Sequence, residues 1–342
     1  MHIQVRGLSI AAAVAVLAVT VGAGCVAPGT PPPPTPPGTW PVSGGLSGVN
    51  GDPVINRASV EAFCTWRGRD CGVAVTYTDR ASWDKMTRGS GWMFDNFAGF
   101  PGILVISQSL TPNAGGPAEL ASCAAGNHDR DFADFGTLMV NKGRPASVVR
   151  LGWEFNGTFM PWSAWDTEDW ISCFRRAATA IRSTNPGVII DWTINAHGTP
   201  AEICGGVSTT CYPGDAYVDI IGIDNYDHGP SVGSREEFNR VAERQDGLTW
   251  IYNFAVAHDK AFSVGEWGVA PGSRYNTHGE NPEFVRWMHE WFADRAGHIA
   301  YEAYFNNCTA GDVESNLYRP AGGSCTRQNI NAGNVYRSLW AA

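Results

Sequence analysis

The chain has 342 residues, of which 44% are hydrophobic and 17% charged, and its formal net charge at pH 7 is −9. This length fits one large α/β domain or two small ones, and the composition is that of a globular protein. Nucleic acids and anionic membrane surfaces attract basic patches, so the acidic balance argues against either as the main partner.

The N-terminal segment predicts export. Arg6 supplies a positive charge ahead of an apolar run over residues 8–21, which is short for a mature transmembrane helix. The following string VGAGC resembles a bacterial lipoprotein signal, in which Cys25 would be lipidated and become the new N-terminus. We therefore predict a signal peptide over residues 1–25 and a cell-surface lipoprotein. Ordinary cleavage after Ala23, which would give a freely secreted protein, is the alternative.

The remaining cysteines form an even set of eight, which in an exported protein predicts disulfides. Short spacing along the chain favours three pairs and leaves a fourth: Cys64 with Cys71, Cys204 with Cys211, Cys308 with Cys325, and then Cys123 with Cys173. Cys25 has no partner in this scheme, as expected of a lipid-carrying cysteine.

A proline-rich string, PGTPPPPTPPGTWP, follows the signal at residues 28–41. Such runs adopt extended polyproline II conformation and act as semi-rigid spacers. We predict a linker over residues 26–43 and a single catalytic domain over residues 44–342. Membrane association would then occur only through the N-terminal lipid anchor.

From residue 44 onward, short apolar runs alternate with amphipathic helical segments. The predicted strands are GLSGV, GVAVTYT, ILVIS, SVVRLGW, VIIDWTI, YVDIIGID, AFSVGE and HIAYEAYF, and the predicted helices are SVEAFCTW, DRDFADFGTLMV, WISCFRRAATAIRS, REEFNRVAERQ and NPEFVRWMHEWFADR. Buried strands that alternate with helices indicate a parallel sheet, and eight of them at this length predict an α/β fold of the (β/α)8, or TIM, barrel type. An open doubly wound sheet is the alternative, although no glycine-rich phosphate loop follows an early strand.

Two of the predicted strands end in a glutamate: strand four at Glu154 and strand seven at Glu266. The active site of a (β/α)8 barrel lies at the carboxyl ends of its strands. Two carboxylates that flank a glycosidic bond are the minimum equipment for glycoside hydrolysis, provided that one is protonated and the other ionised. One strand-end glutamate is more often a capping or ion-pairing residue, but two such residues are harder to dismiss.

Side chains alternate along a strand, which predicts the faces on which these residues lie. Arg150, Gly152 and Glu154 are expected on one face. Phe262, Val264 and Glu266 are expected on another, with Gly265 leaving room for a close neighbour.

The sequence around Glu154 also bears on its protonation. Its aromatic neighbours Trp153, Phe155 and Phe159 suit a proton donor, because apolar surroundings raise the pKa of a carboxyl group. The positive charge of Arg150 acts in the opposite direction.

Three strings, RLGWEFNGTFMPW, YPGDAYVDIIGIDNYD and VGEWG, resemble those of retaining (β/α)8 glycoside hydrolases with glutamates on strands four and seven, and most of all glycoside hydrolase family 26. The resemblance covers most of residues 44–340. It implies that Glu154 is the general acid/base and Glu266 the nucleophile. It also implies that Tyr226 hydrogen-bonds the nucleophile and that Asn156 and Trp162 line sugar subsites.

One position departs from the family. Mannan-cleaving members usually carry histidine immediately before the acid/base, where this chain has Trp153. That histidine contacts the substrate, so the departure leaves β-mannan specificity open. The full set of predicted substrate-binding residues is Arg150, Trp153, Asn156, Trp162, Trp165, Asp224, Tyr226 and Trp267.

No metal or other cofactor is expected, since Asp224 and Asp227 lack the calcium-loop pattern. The histidines lack metal-ligand spacing and are expected to be structural or on the surface, although His197, just past strand five, is placed where it could touch substrate.

These observations predict a monomeric, retaining, endo-acting glycoside hydrolase whose partner is a β-linked polysaccharide such as a mannan or glucan. Two alternatives remain open. The substrate could be the host's own envelope glycan, or the barrel could bind polysaccharide without cleaving it. The presence of both carboxylates disfavours the non-catalytic barrel.

Overall fold

A computed structural model describes residues 46–51, 55–319, 325 and 327–341. The predicted signal peptide, Cys25, the proline-rich linker and the first two residues of the predicted domain lie outside this part of the chain. Within it, none of the helices combines the length and apolar character needed to cross a bilayer.

The eight predicted strands all form, and each pairs in parallel with the next until β8 closes on β1. They are β1 (Leu46–Gly51), β2 (Val73–Tyr77), β3 (Ile103–Gln108), β4 (Val148–Leu151), β5 (Ile189–Asn195), β6 (Ile220–Tyr226), β7 (Ala261–Gly268) and β8 (Ile299–Asn306). The (β/α)8 barrel is therefore confirmed and the open doubly wound sheet is excluded.

Helices connect the strands and cover the outside of the barrel. They are α1 (Arg57–Arg67), α2 (Trp83–Met86), α3 (Gly91–Asn96), α4 (Pro117–Ala124), α5 (Asp129–Asn141), α6 (Thr167–Thr184), α7 (Arg235–Glu243), α8 (Leu248–Ala257), α9 (Pro282–Asp294) and α10 (Ile330–Trp340). The five predicted helical segments correspond to α1, α5, α6, α7 and α9. Of the others, α2 and α3 are short and α8 is apolar around much of its surface, so these three lack a clear amphipathic period.

Helix α6 shows how the local sequence sets these elements. The Asp166 side chain caps its N-terminus by accepting a hydrogen bond from the Asp169 backbone N–H at 2.9 Å. Trp170, Phe174 and Ile181 then recur at helical spacing and are fully buried against the barrel.

All four predicted disulfides are present. The longest-range one, between Cys123 and Cys173, ties α4 to α6, and the others close short loops. Disulfides persist in oxidising compartments, so this set is consistent with an exported protein.

The barrel interior has an apolar layer, which includes Val105, Val148 and Ile220, and a polar layer. The carboxylate of Asp191 on β5 accepts hydrogen bonds from Thr193 Oγ1 at 2.7 Å, Ser263 Oγ at 2.7 Å and the Tyr301 hydroxyl at 2.6 Å. Arg150 on β4 also points into the interior, where it is fully buried.

The predicted alternation along β7 is wrong at its carboxyl end. Phe262 packs outward against Trp291, with ring centroids 5.7 Å apart, whereas Ser263 and then Glu266 point into the barrel. The reason is an irregularity in pairing: the register of β7 shifts against β6 between Ser263 and Glu266, and against β8 between Val264 and Trp267. Such a bulge changes which side chains face inward.

Replacement of Gly265 by alanine tests this packing. A Cβ there would lie 2.5 Å from Nε and 2.8 Å from Cζ of Arg150, whose guanidinium is fixed by ion pairs and has nowhere to move. We expect Gly265→Ala to lower the free energy of unfolding in urea by about 1–3 kcal/mol, as overpacking does. Gly297→Ala is the matched control, because no atom lies within 4 Å of its added Cβ. Equal stability of the two variants would contradict this packing.

Candidate active site

Glu154 lies in a sharp turn immediately after β4. The strand ends at Leu151, and both Gly152 (φ 59°) and Glu154 (φ 55°) adopt the left-handed region. This conformation is unfavourable for a glutamate, and such strain is typical of functional sites. A hydrogen bond of 3.0 Å from Glu154 N to the Thr193 carbonyl holds the turn against β5. The expected strand alternation from Arg150 to Glu154 therefore does not apply, because the strand has ended.

Glu266 lies on β7 at the mouth of the barrel and accepts three hydrogen bonds. The Tyr77 hydroxyl and Arg150 Nη1 both donate to Oε1 at 2.8 Å, and the Tyr226 hydroxyl donates to Oε2 at 2.9 Å. Burial, together with the negative charge of Glu266, raises the pKa of both tyrosines well above the ordinary value, so each phenol remains a proton donor. The orientation of the carboxylate is fixed from three sides.

Arg150 binds two carboxylates at once. Its Nη1 contacts Glu266 and Ser107 Oγ, and its Nη2 forms an ion pair with Asp224. Although burial acts to lower its pKa, the charges of Asp224 and Glu266 raise it, so the guanidinium stays charged. Arg150 and Asp224 are both fully buried beneath the site. The sequence predicts that both residues bind substrate, but neither reaches the cleft. Instead, they hold the nucleophile candidate in place.

The electrostatic surroundings of Glu154 disfavour the negatively charged form of its carboxyl group. Burial, followed by the negative charge of Glu266, raises its pKa from 4.5 to about 8, and Arg150 offsets only part of this shift. Of the two opposing influences evident in the sequence, desolvation is therefore the stronger. Glu154 is protonated at neutral pH, as a general acid must be.

Both glutamates line one cleft of about 1010 Å³ at the carboxyl ends of the strands. This volume lies at the upper end of the range for small-molecule sites. The walls of the cleft include Tyr77, Arg80, Trp153, Glu154, Phe159, His197, Tyr226, His228, Glu266, Tyr275 and Asp312.

Of the predicted substrate-binding residues, Trp153 and Tyr226 lie in the cleft wall. Trp153 is almost fully buried, with 3% of its surface exposed, and its ring packs 5.8 Å from that of Tyr77. Little of its side chain is therefore accessible to a ligand.

Four other predicted sugar-binding residues are not among the cleft-lining side chains. Trp162 and Trp267 are fully buried, and their indole N–H groups donate to the Trp153 carbonyl (2.8 Å) and to Glu302 (2.5 Å). Asn156 is also buried and joins the turn after β4 to the Asn195 backbone through hydrogen bonds of 3.0 and 2.8 Å. Trp165 is 45% exposed but lies outside the cleft. The polar groups of the three buried residues are already paired within the protein. These residues therefore support the site from behind and do not offer those groups to a sugar.

Several cleft residues were not predicted from the sequence. Tyr77 is the last residue of β2, Arg80 follows that strand, and Asp312 follows β8. A polar aromatic residue at the end of a predicted barrel strand was a usable signal for Tyr77. No motif marks Arg80 or Asp312.

His197 and His228 also line the cleft, with ring centroids 4.2 Å apart. Burial lowers their pKa values to about 3 and about 4, respectively, so both are neutral near pH 7. This pair adds polar surface to the cleft without adding charge.

No protein-family model and no curated protein matches the chain. Solved structures do match. A modular endo-β-1,4-mannanase of glycoside hydrolase family 26 from Cellulomonas fimi has a TM-score of 0.60 and 17% identity, covering 87% of this chain and 71% of that chain. The family 26 β-mannanase of Bacteroides ovatus has a TM-score of 0.56 and 16% identity, covering 87% and 89%. A fungal β-1,4-galactanase has a TM-score of 0.58 and 12% identity, covering 86% and 99%. The chain therefore has the (β/α)8 fold of the family 26 enzymes, as its motifs imply.

The raised pKa of Glu154 has a measurable effect on stability. A carboxyl group whose pKa is higher in the folded state contributes stability below its ordinary value of 4.5, and that contribution is lost as the pH rises through about 8. Glu154→Gln cannot ionise, so its free energy of unfolding should gain on that of the native protein between pH 4 and pH 9. We expect a gain of at least about 1.4 kcal/mol, the equivalent of one pKa unit.

Denaturant unfolding at several pH values measures this difference. Glu236→Gln, at an exposed position on α7, is the control and should show no such gain. A Glu154→Gln difference that stays constant with pH, or falls, would show that Glu154 is ionised in the folded protein.

Proposed function

We propose that the protein is a glycoside hydrolase that cleaves a β-linked polysaccharide by double displacement with retention of configuration. The observation that supports this most strongly is that Glu154 and Glu266 line one cleft in opposite surroundings. One carboxyl group is desolvated and holds a proton, whereas the other accepts hydrogen bonds from a cation and two phenols. This is the difference that glycoside hydrolysis by two carboxyl groups requires.

In the first step, Glu266 attacks the anomeric carbon while Glu154 protonates the departing glycosidic oxygen. The product is a covalent glycosyl-enzyme ester. Esterification removes the negative charge of Glu266, which after burial is the largest of the causes that raise the pKa of Glu154. The pKa of Glu154 falls as a result, so this residue can act as the base that activates water in the second step.

The cleft favours a polysaccharide over a small polar ligand. Phe159 is 58% exposed and Tyr275 is 54% exposed on its walls, and aromatic faces suit the apolar faces of sugar rings. The similar solved structures include mannanases and a galactanase that act on β-1,4-linked chains. Trp153, which stands where mannan-cleaving members usually have histidine, leaves the identity of the sugar open. We propose endo action on a mannan, glucan or related polysaccharide.

We further propose that the protein is exported and acts as a monomer. The four disulfides support export. Lipidation of Cys25 would hold the barrel near the cell surface at the end of its proline-rich linker.

Cleavage of a panel of β-mannans, β-glucans, β-xylans and β-galactans tests the proposed reaction. We expect the native protein to release oligosaccharides whose newly formed reducing ends have, at first, the β configuration by NMR. Glu154→Gln should lower kcat by about 10²–10⁴-fold, as loss of a general acid does. Glu266→Gln, which removes the nucleophile, should abolish turnover.

Glu236→Gln is the matched control, because it changes an exposed glutamate outside the cleft and should leave the rate unchanged. Initial release of the α anomer would exclude the retaining mechanism. Binding of a polysaccharide by native protein and by Glu266→Gln, with cleavage by neither, would favour a non-catalytic barrel.

A further inference from the structure

Arg80 holds a positive charge in the cleft wall that the proposed mechanism does not use. It lies in the loop after β2, and its backbone is fixed by a hydrogen bond of 2.7 Å from Asn113 N to its carbonyl oxygen. The preceding Asp79 side chain accepts a hydrogen bond from Ala81 N at 2.9 Å, which also restrains the loop. The base of the side chain is therefore in a defined position.

The guanidinium of Arg80 packs against aromatic rings and leaves its N–H groups unused. Its Cζ lies 5.5 Å from the ring centroid of Trp153 and 5.6 Å from that of Trp162. Burial lowers its pKa, yet an arginine remains protonated at any physiological pH. No hydrogen bond or ion pair joins this side chain to another residue in the part of the chain that the structure describes.

The neighbouring arginines differ in this respect. Arg150 is paired with two carboxylates, and Arg274, on another wall of the cleft, donates to the Tyr275 hydroxyl. A cation that is partly removed from water is costly unless an anion or hydrogen-bond acceptors replace the lost water. The N–H donors of the planar Arg80 guanidinium match the geometry of the oxygens of a carboxylate or a sulfate.

We propose that Arg80 binds an oxyanion substituent of the glycan, so that the substrate is an acidic β-linked polysaccharide, most simply one that carries uronic acid. This inference rests on the proposed function and narrows its substrate class. A chain with a net charge of −9 repels polyanions, which makes a positive group inside the cleft necessary for such a substrate. Asp312 on another wall would repel a second acidic group, so a single charged sugar is expected next to Arg80.

Matched pairs of polysaccharides that differ only in their charge test the proposal. The probes are a glucuronoxylan and a glucuronomannan, each before and after reduction of the carboxyl groups to alcohols, and a sulfated β-mannan before and after desulfation. Dissociation constants are measured on Glu154→Gln protein, and kcat/KM is measured on protein with Glu154 intact. The carboxylate and sulfate pairs show which oxyanion is preferred.

We expect at least one acidic probe to be bound and cleaved better than its neutral form. Arg80→Gln should weaken that preference about ten- to a hundredfold, the effect of losing charge-assisted hydrogen bonds, while changing values for the neutral form less than about threefold. Arg80→Lys keeps the charge without the fork and should give an intermediate loss. Arg130→Gln, whose side chain is 89% exposed on α5, is the control and should change nothing.

The proposal is overturned if no acidic probe is preferred to its neutral form, or if Arg80→Gln weakens both forms equally. Cleavage of neutral glycans alone would reject the role of Arg80 and leave the hydrolase intact. Binding of an acidic probe that depends on Arg80, with no cleavage of any glycan, would support the role of Arg80 and reject the hydrolase.

Discussion

The buried ion pairs of Arg150 with Asp224 and Glu266 are the constraint on which the rest of the site depends. Two charges removed from water cost more than their attraction returns unless further hydrogen bonds satisfy them, and removal of one partner leaves the other uncompensated. Ser107 supplies one such hydrogen bond to Arg150, and Tyr77 and Tyr226 supply two to Glu266. Arg150 Nε and Asp224 Oδ1 have no partner among the described residues. The glycine at position 265 and the bulge of β7 give the guanidinium room and turn Glu266 towards it. These polar groups inside the barrel thus fix one carboxylate at the cleft.

In the part of the chain that the structure describes, no ion pair or hydrogen bond holds the second carboxyl group, that of Glu154, in the same way. Glu154 follows the end of β4 in a left-handed turn. There it is desolvated, and the negative charge of nearby Glu266 raises its pKa further. Two glutamates on one fold therefore have different surroundings, because one accepts hydrogen bonds from a buried cation and two phenols and the other lies in a desolvating turn. The negative charge of Glu266 also links them, since any reaction that neutralises Glu266 lowers the proton affinity of Glu154. The proposed double displacement would use this linkage to change Glu154 from acid to base.

Features that depend on local pattern could be predicted from the sequence. The eight strands follow from short apolar runs between amphipathic helices, and the four disulfides follow from spacing. The placement of Glu154 and Glu266 in one cleft follows from the rule that strand ends converge at one face of a barrel. Features that depend on three-dimensional packing could not. The alternation of side chains along a strand does not reveal the bulge in β7 or the turn after β4. The sequence also suggests that the Trp267 ring stacks on a sugar, although this residue is buried behind the site. Arg80 lies in no motif, and only its position in the cleft wall reveals it.

The central claim, that Glu266 is the nucleophile and Glu154 the acid/base, is tested most directly by trapping the covalent intermediate. The native protein is incubated with activated 2-deoxy-2-fluoro glycosides of the gluco, manno and xylo series, which slow the second step, and its peptides are examined by mass spectrometry. The account predicts time-dependent inactivation with one glycosyl group attached to the Glu266 carboxylate, and none on Glu154. Attachment of the glycosyl group to Glu154 would contradict the account. So would a protein that turns over polysaccharide while none of these reagents labels Glu266.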